Sequence, residues 1–62
     1  QGRVEEAIEF QSRWIDVCRR SLGDDHRETR IGRLNLAEYL RAVDRIEEAE
    51  KVEAALAASA PS

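Results

Sequence analysis

Residues 24–28 contain four polar side chains of the types that bind cations. They are Asp24, Asp25, His26 and Glu28. Ligands this close together on one turn rarely converge on a single ion, and two of the four are better explained as residues that begin a helix. We therefore expect that this cluster binds no metal and that the chain uses no cofactor.

The chain has one cysteine, Cys18, and one histidine, His26, the two side chains of a thiol–imidazole catalytic pair. Such a pair also needs a third group to orient the imidazole and a site for the oxyanion, and the sequence suggests neither. Cys18 falls on the apolar side of its segment, where a free thiol is usually inert core. We predict that the chain is not an enzyme. A lone thiol also favours a reducing, cytoplasmic compartment.

Four arginines are expected to form a basic strip on one helix. They are Arg27, Arg30, Arg33 and Arg41. On a helical wheel Arg30 and Arg41 are only about 20° apart. Because guanidinium groups bind carboxylates and phosphates bidentately, the strip suits an acidic ligand. The alternative is a solvated face balanced by Glu38 and by the acidic neighbouring helices, which the net charge of −3 favours.

The composition excludes several classes of protein. Acidic residues outnumber basic ones by 13 to 10, which does not indicate binding to nucleic acid or to an acidic membrane. No apolar run approaches the roughly 20 residues that span a bilayer. The sequence contains no methionine, so we expect a processed, excised or otherwise partial chain. One proline and three glycines leave long stretches for helix, which predicts an all-α fold.

Helical periodicity predicts three helices followed by a short C-terminal tail. The helices are expected over 3–22, 26–43 and 45–58, with the tail over 59–62. The apolar arc of the first helix covers about half of its circumference, which suggests contact with two neighbours. Gly23 is expected to end that helix, and Asp25 to cap the second with Glu28 completing a capping box. Gly32 would permit close approach of another helix.

The chain also repeats itself. Residues 2–14 match residues 44–56 at a constant offset of 42. The identical pairs are Arg3 with Arg45, Glu5 with Glu47, Glu6 with Glu48 and Ala7 with Ala49; the apolar pairs are Val4 with Ile46, Phe10 with Val52 and Trp14 with Leu56. A fixed period of this size is typical of stacked helical arrays. Trp14 is interpreted as core packing, with a partner-binding anchor as the alternative.

Four stretches in this register carry a resemblance to a known family: "GRVEEAIE" (2–9), "LGDDHRET" (22–29), "NLAEYL" (35–40) and "DRIEEAE" (44–50). The chain resembles tetratricopeptide repeats of the long type found in kinesin light chains and many bacterial proteins. The resemblance implies an α-solenoid segment of three antiparallel helices over 1–58, or about one and a half repeats. In that arrangement 26–43 is an A helix lining a groove, and 3–22 and 45–58 are B helices outside it.

The resemblance also implies a function and a site. The expected function is a non-catalytic scaffold that binds a protein or peptide, as the C-terminal part of a larger array. The groove side would carry Ile31, Leu34, Asn35, Glu38, Arg41 and Ala42. Asn35 either binds the ligand backbone or ties adjacent helices together, and both interpretations stay open. Leu34 replaces an asparagine of the peptide-binding repeats, and Asp44 replaces the usual glycine between helices.

Other functions remain as alternatives. The alanines of the last helix, Ala54, Ala55, Ala57 and Ala58, form a thin face that suits self-association into a homo-oligomer or packing on the rest of an array. The segment is alternatively a regulatory arm of a larger bacterial signalling or defence enzyme. Nucleic-acid binding through the arginines is a distant further option, and no membrane partner is expected.

Overall fold

The computed structural model describes residues 2–58, which form three α-helices and, within that range, no strand. The helices are α1 (Gly2–Leu22), α2 (Arg27–Ala42) and α3 (Ile46–Ala58). The all-α fold is thus confirmed, and the observed bounds lie within one residue of the expected ones. The predicted tail, 59–62, lies outside the described residues. Within residues 2–58, no helix combines the length and the apolarity needed to cross a bilayer.

Gly23 ends α1 as the sequence predicts. Its φ of 100° lies in the left-handed region, which glycine enters without steric cost. In this conformation its backbone N–H donates to the carbonyl oxygens of Cys18 (3.2 Å) and Arg19 (3.0 Å). The chain therefore reverses immediately after Leu22, and α2 returns along α1.

The N-cap of α2 is His26, so the prediction of Asp25 was wrong. The His26 imidazole Nδ1 accepts a hydrogen bond from the backbone N–H of Glu28 at 3.1 Å, as a capping side chain does. Thr29 holds the same turn, because its hydroxyl donates to the carbonyl oxygen of Gly23 at 2.9 Å. Thr29 is completely buried, a role that the sequence pattern does not indicate.

Asp44 shapes the second turn. Its φ of 64° is the left-handed conformation that aspartate tolerates better than most residues, so it does serve in place of glycine. The N–H of Arg45 donates to the carbonyl of Leu40 (2.8 Å), and that of Asp44 to the carbonyl of Arg41 (3.1 Å). This is the hydrogen-bond pattern of a Schellman motif, and it sends α3 back along α2.

Helix α2 lies between the other two helices and packs against both. The core cluster comprises Ile8, Ile15, Leu36, Leu40 and Ala49. At Gly32 the helices α1 and α2 approach so closely that a Cβ atom would lie 2.9 Å from Cγ1 of Ile15. Gly32 thus permits the close approach that the sequence predicts.

Only part of the apolar arc of α1 is covered by α2. Cys18 is buried, as expected for an inert thiol. Three residues of the arc, each one turn from the next, remain exposed: Phe10, Trp14 and Val17. Phe10 is the most exposed of them, at 68%. We call these three residues the α1 stripe. Among the described residues α1 packs against one helix, so the second neighbour suggested by its broad arc is not found within residues 2–58.

Candidate functional site

The six residues predicted to line a groove share the side of α2 that faces away from the core. Ile31 and Leu34 are exposed there although both are large and apolar, and Leu34 is 54% exposed. Glu38, Arg41 and Ala42 are also exposed, whereas Asn35 is half-buried. The arrangement places an apolar patch beside hydrogen-bonding groups on one side of α2.

Two arginines of the predicted basic strip are held by carboxylates from other elements. Arg33 pairs with Asp24 at 2.9 Å, and its side chain is only 14% exposed. Arg41 makes a bidentate pair with Glu53 of α3, with Nε–Oε2 and Nη2–Oε1 distances of 2.9 and 2.7 Å. These two arginines fasten α2 to the first turn and to α3, so the four do not form one continuous free strip.

The other two arginines have no such partner. Arg27 and Arg30 make no ion pair with any of residues 2–58. They border a cavity of about 320 Å³ that is also lined by Asp25, Ile31, Leu34 and Leu56. The Nε atom of Arg30 is buried and has no hydrogen-bond partner among the described residues. We call this space the α2–α3 cavity. It combines two guanidinium groups with an apolar wall.

A larger neighbouring space has an internal ion pair in its wall. It measures about 490 Å³ and is lined by Arg19, Asp24, Asp25, Arg33, Ala55 and Ala58. Because Arg33 and Asp24 neutralise each other at its surface, it offers no unbalanced charge to a ligand.

The residues considered for metal binding and catalysis have structural roles. His26 and Thr29 hold the first turn, and Asp24 binds Arg33. Within residues 2–58, no three histidine, cysteine or acidic side chains are placed to hold a metal ion together. Cys18 is 2% exposed and lies away from solvent, so its thiol is poorly placed to meet a substrate.

The Arg41–Glu53 pair makes stability depend on pH. The hydrogen bond from Arg41 holds the pKa of Glu53 below its ordinary value of 4.5. Because the folded state favours the ionised carboxylate, this stabilisation is complete well above pH 4.5 and is lost as the pH falls through the lowered pKa. We expect Glu53→Gln to make the decline of stability below pH 4.5 shallower, as measured by urea unfolding across an acid pH series.

Arg41→Gln is the matched variant, because it removes the other half of the same pair. It should make the decline of stability at acid pH shallower to a similar extent. The double variant should behave much like either single variant, because both changes remove the same pair. A decline that stays as steep in both single variants would show that this pair does not couple α2 to α3 in solution.

Comparison with known proteins identifies one family. A model described as tetratricopeptide repeat matches residues 1–59, nearly the whole chain. No curated protein and no solved structure matches the chain. The match is to the family as a whole, and the kinesin-light-chain-like type stays a prediction.

Proposed function

The chain belongs to the tetratricopeptide repeat family, whose repeats generally mediate protein–protein interaction, and from this premise we propose that it is a scaffold segment binding a protein or peptide along the exposed side of α2. Members of the family are typically non-catalytic, which agrees with the structural roles of His26 and Cys18. We further propose that the segment is the C-terminal part of a larger array in the cytoplasm.

The observation that carries the proposal is the exposure of Ile31 and Leu34 on the groove side of α2. Large apolar side chains that stay exposed in a small chain are a common mark of an interaction surface. Asn35 and Glu38 lie on the same side and supply a hydrogen-bond donor and acceptors. A peptide lying along α2 would bury the apolar pair and engage these polar groups.

The outer side of α3 supports its proposed place at the end of the array. Ile8 and Ile15 of α1 are buried in the core, and an offset of 42 places Glu50 and Ala57 at the equivalent positions of α3. Both are exposed. A charged and a small side chain there remove most of the apolar contact that a further repeat would need, as expected for a terminal repeat.

The α1 stripe supports a preceding helix in the array. At an offset of 42, Phe10 and Trp14 correspond to Val52 and Leu56 of α3. Val52 packs against the core on the α2 side of α3, whereas Phe10 has no comparable cover among residues 2–58. The same stripe supports a second candidate function, self-association, in which another copy of the chain covers it. The regulatory-arm alternative has no specific support from the structure.

A peptide-array screen on the complete protein, followed by affinity measurements on the hits, tests the groove. We expect Asn35→Ala and Glu38→Ala each to weaken binding by about fivefold, the worth of one ordinary interfacial hydrogen bond. Glu47→Ala, an exposed change on α3, is the control and should leave affinity unchanged. Full affinity in both groove variants would argue against binding along α2.

A further inference from the structure

The starts of α1 and α3 carry the same four-residue motif, Arg-x-Glu-Glu, at residues 3–6 and 45–48. We call α1 and α3 the outer helices. We infer that the motif connects successive outer helices of the array, so that Arg3 binds an acidic side chain at the start of a preceding outer helix. The inference rests on the larger array proposed above, and it goes further by naming the connecting residue and the chemistry of its partner.

The structure contains this connection once, between Arg45 and Glu5. Arg45 immediately precedes α3, and its Nη1 donates to Oε1 of Glu5 in α1 at 3.0 Å, across 40 residues of sequence. Within residues 2–58, both outer helices pack against α2 and form no helix-to-helix contact with each other. The Arg45–Glu5 ion pair therefore joins two helices that pack on α2 rather than on each other.

Glu48 holds the Arg45 guanidinium in place for this contact. Its carboxylate accepts hydrogen bonds from Nε and Nη2 of Arg45, both at 2.7 Å, which leaves Nη1 to reach Glu5. The hydrogen bond from Arg45 also keeps the pKa of Glu48 below its ordinary value of 4.5, so this carboxylate is ionised at neutral pH. A guanidinium already fixed at two nitrogens loses little further freedom when the third one binds.

Arg3 occupies the equivalent position but has no such partner. An offset of 42 makes Arg3 and Glu6 the equivalents of Arg45 and Glu48. Arg3 is exposed and makes no ion pair within residues 2–58. On a helical wheel it lies about 20° from Phe10, so it extends the α1 stripe toward the start of the helix. An acidic side chain on a helix that precedes α1 would meet it there.

The position of the arginines in the motif needs a contact to explain it. Acidic residues in the first turn of a helix are favoured by the helix dipole, whereas an arginine there is disfavoured. The ion pair with Glu5 offsets this cost for Arg45. Arg3 carries the same cost at the start of α1 with no compensating ion pair within residues 2–58. A carboxylate from a preceding outer helix would supply the compensation.

The Arg41–Glu53 pair offers a comparison, because it also joins two helices. It cannot recur one unit earlier in the array, since the equivalent of Glu53 in α1 is Gln11, which carries no charge. The Arg-x-Glu-Glu motif, by contrast, keeps its three charged positions in both copies. The connection through the motif is therefore the one that an offset of 42 allows to recur.

The first test is the sequence of the complete protein. The position 42 residues before Glu5 is expected to hold glutamate or aspartate in the first turn of a helix. A basic or apolar residue at that position would overturn the inference, and so would a complete protein that begins at Gln1.

The observed contact is tested by urea unfolding of the 62-residue chain. Glu5→Gln should lower the folding equilibrium constant about threefold, as for the stronger exposed ion pairs, and should have no effect once Arg45→Gln is present. Glu47→Gln is the matched control, because it changes the same motif position in another first turn, and Glu47 makes no ion pair within residues 2–58. Equal losses from Glu5→Gln and Glu47→Gln would reduce the motif to an effect of the helix dipole and overturn the inference.

Hydrogen exchange of the complete protein, read over the N-terminal half of α1, tests Arg3. Arg3→Gln should speed exchange about threefold, and Arg3→Glu about tenfold, because two acidic side chains then face each other. Replacing the upstream acidic residue with arginine should restore most of the protection lost in Arg3→Glu. Arg13→Gln is the control, since Arg13 pairs with Glu9 of its own helix, and it should leave exchange unchanged. Failure of the exchanged pair to restore protection would overturn the contact.

The outcomes separate this inference from the proposed function. Exchange that Arg3→Gln leaves unchanged, in a protein whose α1 stripe is covered, would keep a preceding helix and overturn the connection. An effect of Arg3→Gln that grows with protein concentration would show that a second copy supplies the carboxylate, which also overturns it. Peptide binding that does not depend on Asn35 or Glu38 would count against the proposed function alone.

Discussion

Replacing Ala49 with leucine should remove most of the folding free energy of the isolated 62-residue chain. Ala49 is 0% exposed where α3 packs against α2, so three additional carbon atoms have no space without separating the helices. Overpacking of this kind costs about 3 kcal/mol at the upper end of its usual range. A chain of this size rarely has more than about 3–5 kcal/mol of stability. The helical circular dichroism at 25 °C and the urea midpoint measure the effect.

Ala7→Leu is the matched control, because an offset of 42 makes Ala7 the equivalent of Ala49. Ala7 is only half-buried among the described residues. In the isolated chain we expect its replacement to cost less than about 0.5 kcal/mol, as for changes at sites without tight packing. In a longer protein in which an α2-like helix covers the α1 stripe, the same change should cost as much as Ala49→Leu.

The pair of variants therefore distinguishes the arrangements proposed for this segment. Suppose that, in the isolated chain, Ala7→Leu lowers the free energy of unfolding strongly only at high protein concentration. That result would indicate that a second copy covers the α1 stripe. A negligible cost in the longer protein would contradict a preceding helix at this face. Solution mass across a concentration series accompanies the unfolding data, because only self-association makes stability depend on concentration.

The helices and their order are predictable from the sequence because their signals are local. The apolar periodicity of α1 and α2 and the left-handed residues Gly23 and Asp44 place the helix ends to within one residue. The N-cap of α2 is harder to predict, because Asp25 is a preferred N-cap residue, whereas the neighbouring His26, which caps the helix, is not. The choice between Asp25 and His26 depends on the path of the backbone through the turn. The hydrogen bond from the Thr29 hydroxyl to the carbonyl oxygen of Gly23 helps to fix that path.

The candidate site is less predictable, because its charges are balanced across elements. A helical wheel shows that the four arginines lie on one helix, but it cannot show that Asp24 and Glu53 reach two of them. Neither carboxylate is close in sequence to its arginine. The α2–α3 cavity likewise depends on how Leu56 of α3 meets Leu34 of α2. Such contacts between helices follow from packing, which local patterns do not encode.

The second large effect is expected at Gly32, where α1 and α2 approach closely. Glycine normally weakens a helix interior by about 1 kcal/mol relative to alanine, so on propensity alone its replacement should stabilise α2. An added Cβ would, however, lie 2.9 Å from Cγ1 of Ile15, a distance that real Cβ contacts do not show. We expect Gly32→Val to destabilise the protein by about 3 kcal/mol.

Two further variants tie this effect to the contact with Ile15. Gly2→Ala is the control for propensity, because nothing lies within 4 Å of its added Cβ, and it should be neutral or slightly stabilising. Ile15→Ala removes the atom that clashes, so combining it with Gly32→Val should cost clearly less than the sum of the two single changes. Additive costs would show that the helices separate for another reason.

The emission of Trp14, whose ring edge borders the same place, reports whether α1 and α2 remain together. We expect the Trp14 emission to shift to the red in Gly32→Val and to return when Ile15→Ala is added. That result would establish Gly32 as the contact that allows α2 to lie against α1 with its groove side outward.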